Sequence, residues 1–333
     1  MRNGRLWCDG VAVEAIARRV GTPCYVYSRA RLEANFLRYD EAFRDYPHLI
    51  CYAMKTNSNL AVSRVLSRLG AGADIVSGGE LMRAIQAGFP PRKIVFAGVG
   101  KTPAEIEAAV RADILMFNVE SLPEAEAIGR VAARLGRRAR IAFRVNPGVD
   151  PGTHRHISTG HAETKFGIAA SHVMEAYRRA SRVPSLEILG IQAHIGSQIT
   201  RVAPYVEAVR RLLGWVARLE REGIRIQIVD IGGGLGISYR DEAPPTPADL
   251  AKALAPLLPR PRKVILLLEP GRSIAGDAGA LLTRVLYLKT ADLKNGRGHG
   301  KRFVIVDAGM NALIRPTLYD AWHEILPARR RPG

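Results

Sequence analysis

The sequence predicts an α/β chain, a (β/α)8 barrel with a smaller β-rich domain built from the two ends of the chain. Three observations carry this. From Leu49 onward one unit recurs: a short apolar run, a Gly-rich or polar turn, then an amphipathic helical stretch. Chemically capable residues fall at one repeated place, the C-terminal end of the apolar runs, where barrels of this kind assemble their sites. The flanks lack that alternation. At 333 residues there is room for one large and one small domain.

Taken in order, the expected strands are Ile50–Met54, Ala73–Val76, Ile94–Ala97, Ile114–Asn118, Ala139–Val145, Ile188–His194, Ile226–Ile231 and Val264–Leu268. Helical periodicity marks Leu60–Leu69, Gly79–Ala87, Pro103–Val110, Leu122–Leu135, Ser171–Ala180, Ala203–Glu222 and Pro247–Leu258 between them. Alternation does not say whether the sheet closes, so a doubly wound open sheet stands as the alternative. Outside the repeat, Val11–Val20 reads as a helix and Pro23–Ser28 as a strand. Ala280–Thr290 and Arg302–Asp307 read as strands joined by the loop LKNGRGHGK. The expected boundaries are 1–30 for an N-terminal segment joining the β-domain, 31–275 for the barrel and 276–333 for an incomplete C-terminal β-domain.

Composition excludes several classes. Hydrophobic residues make up 47% of the chain, against the polar bias of disorder. The longest apolar run in the C-terminal half, Val264 to Leu268, is far too short to span a bilayer, and no apolar signal core follows the basic N-terminus MRNGRLWCDG. The expectation is a cytoplasmic protein with no membrane partner. Cys8, Cys24 and Cys51 have neither metal-ligand spacing nor the number for a disulfide framework, so they read as buried free thiols and no metal is expected. The net charge of +18 suits an anionic ligand, but the arginines are scattered along helical faces and nucleic-acid motifs are missing. No nucleic-acid partner is expected.

At the strand ends, Lys55 in YAMKTNSN is either a surface lysine or, desolvated at a barrel mouth, a Schiff-base former. The turns DIGGGLGIS and EPGRS, with Gly234, Gly271 and Arg272, follow the seventh and eighth strands, where such barrels bind phosphate. Glu269 closes the apolar strand VILLLE, a costly place for a carboxylate without a partner. It would pair with Arg272 or another arginine, or hold a proton on a pyridine nitrogen. His194 in QAHIGSQ is either a satisfied core histidine or a ring set against a flat cofactor.

These residues carry a resemblance. YAMKTNSN, GADIVSGGEL, FAGVGKTPAEI, FRVNPGVD, TKFGI, HIGSQI, VDIGGGLGI, EPGRSI and NALIRPTLYDAWHEI resemble, in order, the motifs of fold-type III pyridoxal phosphate (PLP) decarboxylases, and most closely the diaminopimelate decarboxylase family. The resemblance runs from about residue 5 to 325. It implies an alanine racemase-like (β/α)8 TIM barrel plus a C-terminal β-barrel domain that also uses the N-terminal strand, working as a homodimer with sites at the subunit interface. It implies PLP on Lys55, His194 against the ring and Glu269 at the pyridine nitrogen. Ser197, Gly234, Gly271 and Arg272 would surround the phosphate, Arg272 also reaching substrate. Asp74 and Arg144 would position the cofactor, and Lys165 in TKFG would contact the other subunit or the site entrance.

The implied reaction is decarboxylation of meso-diaminopimelate to lysine. Arg315 and Tyr319 in LIRPTLYD resemble the pair that grips the substrate's distal carboxylate, a task suited to bidentate arginine. An ornithine-type substrate would call for an acidic group instead. Decarboxylation of ornithine, arginine or carboxynorspermidine is one alternative, and PLP binding without turnover another. The family's chain continues past YDAWHEI with a CESGD-like cysteine motif, a substrate-contacting glutamate and a late tyrosine, whereas this one changes to LPARRRPG. The expectation is a truncated β-domain with unpaired edges and exposed apolar surface, weak activity, poor solubility and impaired dimerisation.

Overall fold

The structure, a computed structural model, describes residues 3–152, 165–258, 264–291 and 300–330. They divide into two units. The larger comprises Arg31–Ile237 and Ala243–Asp277; the smaller takes the chain up to Ala30, Ser238–Glu242 and the chain from Ala278 onward.

Eight parallel strands form the heart of the larger unit: β1 (His48–Ala53), β2 (Gly72–Ile75), β3 (Ile94–Phe96), β4 (Met116–Val119), β5 (Ala139–Asn146), β6 (Leu186–Gln192), β7 (Ile228–Asp230) and β8 (Ile265–Leu268). Each pairs with its successor, and β8 pairs back to β1 through Leu266↔His48, so the sheet closes. Closure excludes the doubly wound alternative. One apolar cluster draws Cys51, Val95, Met116, Ala142, Leu189, Ile228 and Leu267 from seven of the eight strands, making the interior a packed core. The eighth, β2, contributes Gly72, where a Cβ would stand 2.7 Å from Cys51 Sγ.

Five of the seven expected helices start at a side-chain cap, while Val173–Ser181 and Ala203–Arg221 start without one. Asn59, Ser77 and Ser121 accept backbone N–H groups, while Thr102 with Glu105 and Thr246 with Asp249 make capping boxes. A helix the sequence reading does not mark, Arg29–Phe43, precedes β1. It buries Leu32, Phe36, Tyr39 and Phe43 on one face, but the buried Asn35 interrupts the apolar stripe. Asn35 Nδ2 donates to Ile274 O at 2.9 Å and Asp277 Oδ1 at 2.6 Å, and Tyr39 hydroxyl bonds Ser273, so this helix anchors the turn after β8.

In the smaller unit Cys24–Tyr27 pairs antiparallel with Gly279–Leu282, bringing the N-terminal strand into the β-domain. The expected strand 280–290 is broken in two. Its second half, Val285–Thr290, pairs antiparallel with Arg302–Val306, and most of the expected loop LKNGRGHGK lies outside the described residues. This hairpin exposes Val285, Leu286, Tyr287, Leu288, Val304 and Ile305, as expected of apolar surface there. The cysteine expectation needs correcting: only Cys51 is buried, and Cys8 and Cys24 are half-buried. Both sit in two-stranded sheets, which have too few strands to cover both faces. No described helix is long and apolar enough to cross a membrane, and no metal-binding cluster is found among the described residues.

Candidate active site

Apart from Asn35 and Ser63, every buried polar or charged residue described lies on a barrel strand or directly after one: Asp74, Asn118, Glu120, Arg144, Asn146, Gln192, Asp230 and Glu269. Barrel geometry gathers them at the C-terminal mouth.

Lys55 rides a single 3-10 turn, Met54–Thr56, directly after β1. Its Nζ stands 3.6 Å from Asp74 Oδ2 on β2. Half of the Lys55 side chain is open, whereas Asp74 is sealed and neither of its carboxylate oxygens accepts a hydrogen bond. Asp74 raises the Lys55 pKa by its charge. Burial, then Glu269, pushes the Asp74 pKa up to about 8. The turn is braced from β8: Ala53 N–H donates to Pro270 O at 3.1 Å. A Cβ at Gly271 would fall 2.1 Å from Thr56 Oγ1, so the EPGRS turn reaches this position only with glycine there.

Glu269 does not pair with Arg272. Its Oε1 accepts from Asn118 Nδ2 at 2.8 Å and its Oε2 from Gln192 Nε2 at 3.2 Å. The same Asn118 amide donates to Asp230 Oδ2 at 3.1 Å, and Asp230 Oδ1 accepts Gly232 N–H at 2.9 Å. Burial and then Asp230 hold Glu269 well above the usual carboxylate range, and burial pushes Asp230 up to about 7. Three buried carboxylates thus face one lysine and Arg144, a setting that favours an added cation.

Arg144 pairs with Glu120 at 3.0 Å and its guanidinium lies over the Phe166 ring. Glu120 uses its other oxygen to accept Gly167 N–H at 2.7 Å, tying the end of β5 to the turn that carries Lys165 and Phe166. Lys165 lies over the ring of Phe166. His194 Nδ1 accepts Gly233 N–H at 3.2 Å, which leaves its proton on Nε2. Burial, Lys55 and Arg144 keep His194 neutral, well below the usual imidazole range. The DIGGG turn is wedged against the loop after β6: Gly234 has φ +105, and a Cβ there would sit 2.1 Å from Gly196 O. Arg272 Nη2 donates to Ser197 Oγ at 3.2 Å between the loops after β8 and β6.

Lys55, Asp74, Arg144, His194, Ser197, Gly234, Glu269, Gly271 and Arg272 therefore all lie at the strand ends of one barrel. Arg315 and Tyr319 belong to the smaller unit, on the short helix Arg315–Tyr319. There the Arg315 guanidinium lies 5.3 Å from the Tyr239 ring and 5.7 Å from that of Tyr319, and its buried Nε has no hydrogen-bond partner. Sequence reasoning passes over Asn118, Glu120, Gln192 and Asp230. The signal that singles out Glu269, a polar residue closing an apolar strand, also marks MFNVE, GIQAH and IVDIG.

A lysine, buried carboxylates, an arginine and glycine turns converge at one barrel mouth, groups able to meet an aldehyde, a ring nitrogen and a phosphate. The family described as pyridoxal-dependent decarboxylase, pyridoxal binding domain, matches residues 29–276. Diaminopimelate decarboxylase of Vibrio cholerae is 50% identical over 331 residues, covering 99% of this chain and 78% of that protein. The crystal structure of diaminopimelate decarboxylase from M. jannaschii in co-complex with L-lysine matches with a TM-score of 0.90 at 40% identity, over 99% of this chain and 77% of that one. The Helicobacter pylori enzyme complexed with L-lysine matches at 0.88 and 42%, over 94% and 77%. The chain belongs to the pyridoxal-dependent decarboxylases and, within them, to the diaminopimelate decarboxylase family.

The residues present fit pyridoxal phosphate. Asp74, the Oδ1 of Asn118 and the Oε1 of Gln192 are buried polar atoms without a hydrogen-bond partner, the carboxylate cluster suits a ring cation, and Arg272 beside Ser197 suits a phosphate.

Proposed function

We propose that this chain decarboxylates meso-2,6-diaminopimelate to L-lysine and CO2 with pyridoxal phosphate, as a cytoplasmic homodimer. The observation that carries the reading is the convergence of Lys55, Asp74 and Glu269 at one barrel mouth. When bound, pyridoxal phosphate supplies an aldehyde that condenses with amines and a pyridinium ring that takes up the electrons left as CO2 departs.

The chain's own residues do the rest. Lys55 would hold the cofactor through its amine, and beside Asp74 that amine can carry a proton. Glu269 meets the ring nitrogen, oriented by Asn118 and Gln192. His194, neutral and fixed by Gly233 N–H, would face the cofactor ring. Ser197, Gly234, Gly271 and Arg272 take the phosphate. Arg144 is held in place by Glu120. Arg315, stacked with two tyrosines and with an unpartnered Nε, grips the distal carboxylate with Tyr319, a demand that ornithine would not make. Exposed apolar side chains on the hairpin Val285–Thr290/Arg302–Val306 support a dimer.

The test is lysine release from meso-diaminopimelate by the purified chain with saturating pyridoxal phosphate, beside ornithine and arginine as competitors. Release from meso-diaminopimelate alone, abolished by Lys55→Ala, is the expected result. Turnover of ornithine in preference would overturn the substrate reading; covalent cofactor without product would make the chain a binding protein.

A further inference from the structure

Asp230 and Glu269 stand at the ends of neighbouring strands β7 and β8, hydrogen-bonded to each other and bridged by one amide group. Asn118 Nδ2 donates to Asp230 Oδ2 at 3.1 Å and to Glu269 Oε1 at 2.8 Å. Both carboxylates are buried. Two ionised carboxylates bridged so closely and out of water repel too strongly to persist, so the pair holds one proton between its members. The remaining donors decide where it rests. Asp230 Oδ1 takes a backbone N–H at 2.9 Å, whereas Glu269 Oε2 takes only the Gln192 amide at 3.2 Å. Without a cation beside Glu269, the charge sits on Asp230 and the proton on Glu269. The other ionisable groups facing the pair are Asp74 from β2, Cys51 from β1, Lys55 from the turn after β1 and Arg144 from β5. Asp74 reinforces protonation of the pair, and Lys55 and Arg144 partly offset it.

We propose that Asp230 is a positioning residue for the cofactor: when a ring-nitrogen cation is brought against Glu269, the shared proton crosses from Glu269 to Asp230. Glu269 is then ionised against the cation, and Asp230, neutral, donates back to it. One O–H bond breaks at Glu269 and one forms at Asp230. The pair keeps one proton and one negative charge throughout, so no proton is drawn from solvent. Asp230 thus lets a buried glutamate serve as an anion only when the cation is present. This rests on Glu269 being the ring-nitrogen partner.

The direct test needs no destabilised variant: isotope-edited infrared difference spectra of the full chain with and without pyridoxal phosphate, with aspartate carboxyls labelled. Binding should create a protonated-carboxyl band carrying the aspartate label, and Asp230→Asn should remove it. A bound protein with no such Asp230-dependent band would overturn the proposal. Nitrogen NMR of ring-labelled cofactor adds a second readout. The amide introduced by Asp230→Asn can donate to Glu269 as the neutral acid does, so this variant should keep the ring nitrogen protonated and bind within about threefold of wild type. Asp230→Ala, which lacks the donor, should weaken binding at least about tenfold. Equal losses in both variants would mean that Asp230 acts as a charge, against the proposal. Glu269→Gln separates the two ideas: if the ring nitrogen stays protonated there, the assignment of Glu269 itself is wrong.

Discussion

Lys55 and Asp74 face each other across 3.6 Å, the lysine half open at the barrel mouth and the aspartate sealed beneath it. The carboxylate holds Lys55 as an ammonium, and only the free amine attacks an aldehyde. Asp74→Asn removes that hold and lowers the Lys55 pKa. In the cofactor-free protein, the pH profile of covalent pyridoxal phosphate capture, followed by borohydride trapping, should move to lower pH. Lys55→Ala should abolish trapping at every pH. A profile that stays in place would mean that Asp74 does not set the lysine's charge.

The buried carboxylates make stability depend on pH in an unusual direction. Asp74 titrates at about 8 in the folded chain, against about 3.9 unfolded. Between these values the folded state binds the extra proton, so its stabilising effect is full below the unfolded pKa and is lost as pH rises toward 8. The slope approaches about 1.4 kcal/mol per pH unit for one such group. The melting temperature of the cofactor-free chain should fall from pH 5 to 8, and the fall should be shallower in Asp74→Asn. Equal slopes in the two proteins would place the titration elsewhere.

Glu120 serves Arg144 with one carboxylate oxygen and Gly167 N–H with the other. Glu120→Ala strands a buried guanidinium and frees the turn. A loss of about 3–5 kcal/mol is expected from urea unfolding. Glu120→Gln, which keeps an acceptor but not the charge, should lose less. A loss under about 1 kcal/mol in the alanine variant would show that water reaches Arg144.

Steric contact couples the turns after β1 and β8. Gly271→Ala puts a Cβ 2.1 Å from Thr56 Oγ1, which displaces the turn carrying Lys55. Cofactor affinity should fall by at least about tenfold, since overpacking of this kind costs about 1–3 kcal/mol. Thr56→Ala removes the clashing oxygen and should restore part of the affinity in the double variant. No rescue would point to Ala53 Cβ, at 3.1 Å, as the obstacle.

Arg315 offers a test of substrate choice. Arg315→Met keeps a side chain between Tyr239 and Tyr319 while removing the charge. KM for meso-diaminopimelate should rise about ten- to a hundredfold with kcat changed far less, the pattern of lost ground-state binding. A fall in kcat at constant KM would remove Arg315 from the substrate grip.

The elements and the ring of reactive strand ends are legible in the linear pattern of residues. Lys55, Asp74, Arg144, His194 and Glu269 each follow or close an apolar run, and for Asp74, Arg144 and Glu269 burial of a polar group there is too costly to be incidental. Glycines 234 and 271 are legible for the same reason, as turns that need close backbone approach. Pairing is not legible there and comes from the assembled barrel. Closure of β8 onto β1 rests on contacts more than two hundred residues apart, which no local period records. Glu269 bonds Asn118 and Gln192 rather than Arg272 because its neighbours come from β4 and β6 across the barrel, not from the next turn of its own chain. Asp230 gains its meaning the same way: a polar residue in a glycine-rich motif becomes half of an acid pair only when β7 and β8 lie side by side. Local sequence sets which groups are costly to bury, and the closed sheet sets which of them share that cost.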